Sequence, residues 1–305
     1  MLHLPIRVQL AAAVVTVLSA CAQQPAPVYR ATQEAPPPPA PPAPLPAPGA
    51  PAAQAPAAVQ TPATAQPAVA APPAAGSEAI DPQAISALEH MGAYLRTLRA
   101  FEVAARSTTE NVMDDGMKLQ FDGRAQLKVR RPDRLRVDIF TDRKQRQIYY
   151  DGKAVTVYGP RVKYYATVAA PPTLGATIQV LTKKYGIELP LADLFYWGTD
   201  QAPLAEITAA RYIGPATVDG KPADQYAFRQ EGVDWQVWIQ QGKTPLPLKM
   251  AITSREQPAA PTHSAWLHWN LAPRLSEATF AFKPPPGAMK IVMQRADGKI
   301  VDSIK

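Results

Sequence analysis

The sequence predicts a mainly antiparallel β fold, a curled and half-open barrel of about ten or eleven strands with two helical covers. Three observations support this prediction. Apolar and polar residues alternate at period two through most of the chain after Ala100. Turn sequences such as Asp114-Asp115-Gly116 and Asp151-Gly152-Lys153 separate the alternating segments. Helical spacing occurs once before the strands and once between them, so the other connections have no crossover helix and the strands are antiparallel.

Residues 1–20 resemble a bacterial lipoprotein signal peptide. Arg7 precedes an apolar run from Leu10 to Leu18, and small residues follow the run. Leu18-Ser19-Ala20-Cys21 resembles a lipobox, which implies that Cys21 is acylated and becomes the new amino terminus. The chain contains a single cysteine, so the sequence excludes a disulfide framework and a thiol nucleophile in the mature fold. An ordinary signal peptide with an incidental cysteine is the alternative.

Residues 21–76 are expected to be a lipidated Cys21 followed by a disordered Pro/Ala-rich spacer. Such a composition has too few large apolar residues to form a core, and it extends by about 3.1 Å per residue as polyproline II. A segment that associates with the cell wall is the alternative. Ala22 stands where Asp signals inner-membrane retention in enteric bacteria, which favours the outer membrane. The domain itself is predicted at 77–305.

Charge and export limit the partners of this domain. The formal net charge is +7, and all of it lies after residue 80, because two basic and two acidic residues cancel in 1–80. This moderate excess is compatible with proximity to anionic head groups. Nucleic acid is excluded as a partner because the chain is expected to be exported.

The first element of the domain is a helix. Asp81 is a typical N-cap, and Pro82 follows at the first helical position. Apolar residues then recur at helical spacing over about 18 residues. They are Ile85, Leu88, Met91, Leu95 and Leu98.

Strands follow, with one helical insertion. The clearest strand is 119–129, which directs Leu119, Phe121, Gly123, Ala125, Leu127 and Val129 to one side. Further inward rows are Leu135, Val137 and Ile139; Val155 and Val157; Tyr164, Ala166 and Val168. Helical spacing returns at Leu174, Ile178, Leu181 and Tyr185. The later rows are Val233, Trp235, Val237 and Ile239; Leu248, Met250 and Ile252; Ala265, Leu267 and Trp269; and a final strand with Phe280 and Phe282.

This order of elements resembles the LolA/LolB-like lipoprotein-carrier fold, an unclosed barrel with helices over an apolar hollow. The resemblance covers 81–291 and depends on the Asp151-Gly152-Lys153 hairpin with Tyr158, the mid-chain insertion, and the segment from Phe280 to Gly287. The chain is also similar to an uncharacterised family of predicted periplasmic proteins with that fold. That resemblance implies no established activity.

The residues with catalytic potential do not form a recognisable motif. His263 and His268 are five residues apart, so on one strand they face opposite sides and could not readily share a metal ion. His90 is placed at the polar edge of the first helix, and Asp114-Asp115 beside a glycine is typical of a turn. The sequence contains neither a phosphate-binding glycine loop nor a nucleophile elbow. We therefore expect no enzyme, no cofactor and no metal site.

The leading hypothesis is a non-enzymatic, membrane-anchored envelope lipoprotein that binds a lipid or lipoprotein acyl chains on the inward rows. A filled core is the alternative, since large and small residues also alternate in any packed interior. In that case the protein would be a structural or regulatory adaptor that contacts an envelope protein through its outer face, where Trp238 and Trp266 are placed. The candidate cavity residues are Phe121, Leu127, Val137, Tyr164, Leu174, Ile178, Leu181, Trp235, Met250 and Trp269.

Overall fold

The computed structural model describes residues 79–297. The predicted signal peptide, Cys21 and the spacer fall in 1–78, outside the described residues. Within 79–297, no helix is both long enough and apolar enough to cross a membrane.

Twelve strands form because apolar residues alternate along most of this chain. The strands are β1 Ala100–Val112, β2 Lys118–Arg130, β3 Arg134–Thr141, β4 Gln145–Tyr150, β5 Ala154–Gly159, β6 Tyr164–Ala169, β7 Ala209–Val218, β8 Lys221–Gln230, β9 Val233–Gln240, β10 Pro247–Ser254, β11 Thr262–Asn270 and β12 Met289–Lys290. Eleven of them are full strands and β12 has two residues.

The strands make one open sheet in the order β12-β6-β5-β4-β3-β2-β1-β11-β10-β9-β8-β7. Two meanders, β1–β6 and β7–β11, join where β1 pairs with β11. Neighbours are antiparallel except β12, which is parallel to β6. In the described part of the chain β12 and β7 do not pair, so the barrel is not closed. Val168 on β6 and Phe228 on β8 belong to one buried cluster, which shows that the sheet curls, and the predicted fold class is confirmed.

Helix α1, Pro82–Thr97, begins as predicted. The Asp81 side chain accepts a hydrogen bond from the Gln83 backbone N–H at 2.8 Å. Its other oxygen accepts one from the Tyr212 N–H at 3.1 Å, which ties the start of the helix to β7. The buried face of α1 consists of Ala84, Leu88, Met91, Gly92 and Leu95. This face packs on the concave side of the sheet.

The mid-chain insertion supplies the second cover. Helix α2, Leu174–Tyr185, begins at the N-cap Thr173 and ends at Gly186, whose φ of 62° is left-handed. The Leu174 N–H donates to Pro132 O at 3.0 Å, which ties α2 to the turn between β2 and β3. The predicted apolar face is confirmed, because Leu174, Ile178, Leu181 and Tyr185 are all buried. Two short 3-10 helices follow, Ala192–Phe195 and Pro203–Glu206.

The prediction of a final strand at Phe280 and Phe282 was wrong. Phe280 ends a short helix, α3 Glu277–Phe280, and the chain after it has no regular structure until β12. The Phe282 ring lies 5.0–5.4 Å from the rings of Tyr149, Tyr158 and Tyr165, which point outward from β4, β5 and β6. The segment therefore covers outward aromatic side chains instead of extending the sheet.

Candidate functional site

The concave face is the side of the sheet that α1, α2 and the segment 192–206 cover. Its inward side chains meet the buried faces of both helices in one continuous cluster. Leu127 and Val137 are fully buried, and Trp235 is 1 % exposed. Apolar burial on this scale is the main stabilising contribution to the fold.

The structure places the candidate cavity residues in three environments. The largest group is buried in the continuous cluster: Leu127, Val137, Leu174, Ile178, Leu181, Trp235 and Met250. Trp269 is half-buried and packs against that cluster. Phe121 is half-buried near one corner, and Tyr164 is 40 % exposed at the start of β6. The structure therefore brings most of the set together beneath the covers and leaves Phe121 and Tyr164 apart from them.

An aromatic stack holds the segment 192–206 on the sheet. The buried Trp197 ring lies 5.6 Å from the Trp235 ring, and Phe228 stacks on Trp235 at 4.3 Å. The Trp235 indole N–H donates to the buried Gln230 side chain at 3.0 Å, and Gln230 donates to Pro203 O at 3.2 Å. Every polar atom named in this arrangement has a partner, so the contact can be buried without an unpaired group.

Two glycines let α1 approach the same segment closely. A Cβ on Gly92 would lie 2.4 Å from the Gly198 backbone N, and a Cβ on Gly198 would lie 2.5 Å from the Gly92 carbonyl. Only glycine permits this contact. Beside it runs an open groove of about 430 Å³, lined by Leu88, Glu89, Ala93, Arg96, Trp197, Gly198, Thr199, Ala202 and Leu204.

Toward the turns at 113–117 and 142–144 the concave face becomes less buried, and we call this area the half-covered corner, defined by Phe121, Gly123, Ala125, Ile139 and Arg146. Ala125 is directly opposite Ile139, and Ile139 is directly opposite Arg146, so the three share one face. Phe121 and Gly123 precede Ala125 at period two on β2, so they share its face. All five are neither fully buried nor exposed. The apolar surface of the concave face thus continues past the fully buried Leu127, Val137 and Ile148.

Arg146 is the charged residue of this corner. It precedes Ile148 by two positions on β4, and Ile148 is fully buried, so both side chains point to the concave face. Burial lowers the pKa of Arg146. Among residues 79–297 its guanidinium has no hydrogen bond or ion pair. The guanidinium of Arg143, on the neighbouring turn, lies 5.0 Å from the centre of the Phe121 ring.

The histidines on β11 face opposite sides, as the sequence predicted. His263 lies opposite Thr109, and its Nδ1 is 2.7 Å from the Thr109 hydroxyl. Burial lowers the pKa of His263 to about 4. His268 is exposed on the outer face, with its Nε2 3.1 Å from Asp219. They therefore cannot share a ligand.

His90 and the Asp114-Asp115 pair were the other two sequence candidates. His90 is exposed on α1. Asp115 accepts the Met117 N–H at 3.0 Å in the turn between β1 and β2. This is turn chemistry, as expected.

The outer face carries an aromatic ladder across β9, β10 and β11. Lys249 is opposite both Trp238 and Trp266, and its ammonium lies 4.5 and 4.8 Å from their ring centres. Both tryptophans are half-buried, on the face opposite Trp235. The predicted outward orientation is confirmed, and it was alternation along the strands that indicated it.

Comparisons with known proteins give one family and several distant structures. The model of a family described as predicted periplasmic protein (DUF2092) matches residues 84–294. The lipoprotein LppX of Mycobacterium tuberculosis is 14 % identical, covering 64 % of this chain and 100 % of its own, with a TM-score of 0.42. LprF of Mycobacterium bovis is 14 % identical over 70 % of this chain and 100 % of its own, with a TM-score of 0.40. A LolA superfamily protein of Nitrosomonas europaea is 13 % identical over 65 % and 97 %, with a TM-score of 0.30. No curated protein matches the chain.

Proposed function

The chain belongs to the DUF2092 family of predicted periplasmic proteins, and from this premise we propose that it is a non-enzymatic envelope lipoprotein that binds a hydrophobic ligand on its concave face. One observation supports the proposal above the others. The apolar surface of the concave face extends past its fully buried residues into the half-covered corner, where side chains such as Ile139 are only half-buried. A partly covered apolar surface on the inside of a curled sheet suits an acyl chain.

Acylation at Cys21 would hold this domain at a membrane. The lipobox-like sequence ending at Cys21 and the Pro/Ala-rich composition of 22–76 support an anchor followed by a spacer. Ala22 favours the outer membrane. A carrier that stays anchored cannot move cargo freely between membranes, so the role we propose is that of a receptor or sensor for its ligand.

Loading involves the cover as well as the corner. An acyl chain that enters at the corner reaches the buried cluster only if the segment 192–206 or α2 moves aside. Removing Trp197 from its site on Trp235 is comparable to truncating a buried tryptophan, which costs about 3–5 kcal/mol. Each methylene that leaves water contributes about 0.8 kcal/mol, so burying roughly six methylenes offsets that loss. A long acyl chain is therefore sufficient to displace the cover.

The experiment is photo-crosslinking with a fatty acid that carries a diazirine on its chain, followed by mapping of the modified residues. Crosslinks along strand β2 should alternate from one residue to the next, because successive side chains point to opposite sides of the sheet. Phe121, Gly123 and Ala125 should be modified, whereas the outward Gln120 and Asp122 should not. Modification of both sets alike would indicate nonspecific surface binding and contradict the proposal.

The second candidate is an envelope adaptor without a ligand cavity. It is favoured by the ladder of Trp238, Lys249 and Trp266, which presents half-buried aromatic surface on the outer face. Absence of crosslinks to β2 at every lipid concentration below the lipid's aggregation limit would support the adaptor. In that case Trp238→Ala and Trp266→Ala should weaken binding to an envelope protein.

A further inference from the structure

Among the described arginines on strands β2, β3 and β4, Arg146 alone combines an inward direction with the lack of a partner. On the outer face, Arg136 donates from Nε and Nη2 to both carboxylate oxygens of Asp138, at 2.9 and 3.2 Å. Arg134, also outward, donates to Glu277 at 3.0 Å. Arg146 points to the concave face and pairs with none of the described residues. A desolvated cation without a partner reduces stability unless something else compensates its charge.

The geometry points to Arg146 as the headgroup site for an anionic lipid. This inference rests on the proposed function and adds the chemical class of the ligand. The anionic headgroup would pair with the Arg146 guanidinium, and the acyl chain would lie along Phe121, Gly123, Ala125 and Ile139. The half-covered corner is then one amphipathic site, with a fixed cation at its border and an apolar floor beside it.

The register of the strands places the charge and the floor together. Arg146 is directly opposite Ile139, which is directly opposite Ala125. Gly123 has no side chain and that of Ala125 is a methyl group, so the floor between Phe121 and Ile139 is shallow and can accept a chain lying across the strands. The fully buried Ile148 follows Arg146 at period two, so the cation stands where the packed core ends.

The charge at this site suits an anion. A guanidinium presents parallel N–H donors that match the oxygens of a carboxylate or a phosphate. Partial desolvation strengthens such a pair relative to one in water. Arg143, which lies over the Phe121 ring, adds a second cation at the entrance. Attraction between these cations and an anionic headgroup would orient the lipid before its chain is buried.

The test compares two lysolipids with the same acyl chain, lysophosphatidylglycerol and lysophosphatidylcholine, below their aggregation limits. The protein is the full chain with Cys21→Ala, so that its own acyl groups cannot occupy the site. Native mass spectrometry or calorimetry gives the two dissociation constants. A charge-assisted hydrogen bond predicts that the anionic lipid binds about tenfold or more tightly than the zwitterionic one.

Arg146→Gln should abolish this preference and leave binding of lysophosphatidylcholine within about twofold, because it removes the charge and keeps the floor. Arg136→Gln, the matched control on the outer face, should leave the preference unchanged. Arg146→Met gives an independent measurement. It removes an unpartnered cation, so without lipid it should unfold at an equal or higher urea concentration than the parent chain.

The outcomes separate this inference from the proposed function. Equal binding of both lipids, or an unchanged preference in Arg146→Gln, overturns the headgroup site and leaves the proposed function standing. Binding of neither lipid overturns both. Binding of free glycerol 3-phosphate as tight as that of lysophosphatidylglycerol identifies a small-anion site and overturns the lipid assignment. A clear loss of stability in Arg146→Met would show that the arginine has a structural role, and would overturn the headgroup site as well.

Discussion

His263 gives a quantitative prediction about the dryness of the concave face. It points inward, is half-buried, and has its Nδ1 2.7 Å from the Thr109 hydroxyl. Burial lowers its pKa in the fold to about 4, from 6.5 in the unfolded chain. The folded state therefore keeps the neutral imidazole at pH values where the unfolded chain already binds a proton.

The sign of the pH dependence follows from this difference. The contribution of neutral His263 to the free energy of unfolding is complete above the unfolded pKa of 6.5. It is lost as the pH falls from 6.5 to 4. Between pH 7 and pH 4.5 the two pKa values correspond to a loss of about 2 kcal/mol in the free energy of unfolding. His263→Gln retains a hydrogen-bonding side chain but does not titrate, so that part of the loss should disappear.

The measurement is urea denaturation of the parent chain and the variant at pH 7 and pH 4.5. Other groups titrate over this interval, so the quantity to compare is the difference between the two chains. His268→Gln is the matched control, because His268 lies on the same strand but is exposed beside Asp219. If His263→Gln and the parent chain lose the same free energy, water reaches His263 and the concave face is wetter than the structure indicates.

The remaining predictions concern the cover, the anchor and the spacer. Gly92→Ala places a methyl group 2.4 Å from the Gly198 backbone, so it should lower the free energy of unfolding by about 1–3 kcal/mol in urea denaturation. Gly175→Ala, at a site with nothing within 4 Å of the added methyl, should be neutral or stabilising by about 0.5–1 kcal/mol, and an equal loss in both variants would contradict the close contact. Cys21→Ala should abolish palmitate labelling and either release the chain from membranes or leave an uncleaved precursor, and unchanged labelling would refute acylation there. Limited proteolysis should cut within 22–76 and leave a folded fragment, whereas a fragment that unfolds would refute the domain boundary.

The sequence predicted the elements well where one physical pattern dominates. The Asp81 cap, the apolar face of α2 and the inward row of Trp235 follow from local spacing, and local spacing does not depend on which strands become neighbours. The separation of His263 from His268 followed from alternation alone. The sheet was therefore predictable as a set of strands that each have an inward side.

The parts that depend on long-range placement were less predictable. Phe280 and Phe282 alternate as in a strand, but the outward rings of Tyr149, Tyr158 and Tyr165 offer them an aromatic surface to cover. Those outward tyrosines were the signal for a covering segment.

Arg146 was missed for a related reason. Its position two residues before Ile148 already placed it on the inward side, but its lack of a partner depends on its neighbours across the sheet. Local spacing gives the side of the sheet to which a residue points, and it does not give the charges that surround it.

The pairing of β1 with β11 has a consequence for how the chain folds. Strand β1 is the first strand made and its partner is the last full strand of the sheet, so Val103 meets Trp269 only after nearly the whole domain has been delivered. Contacts so distant in sequence slow folding, because closing so long a loop costs conformational entropy before the contacts can stabilise the fold. Until then one edge of β1 is unpaired and open to pairing with other chains. When the chain is delivered from its amino terminus onward, this edge of β1 waits for β11 until the other full strands of the sheet have been made.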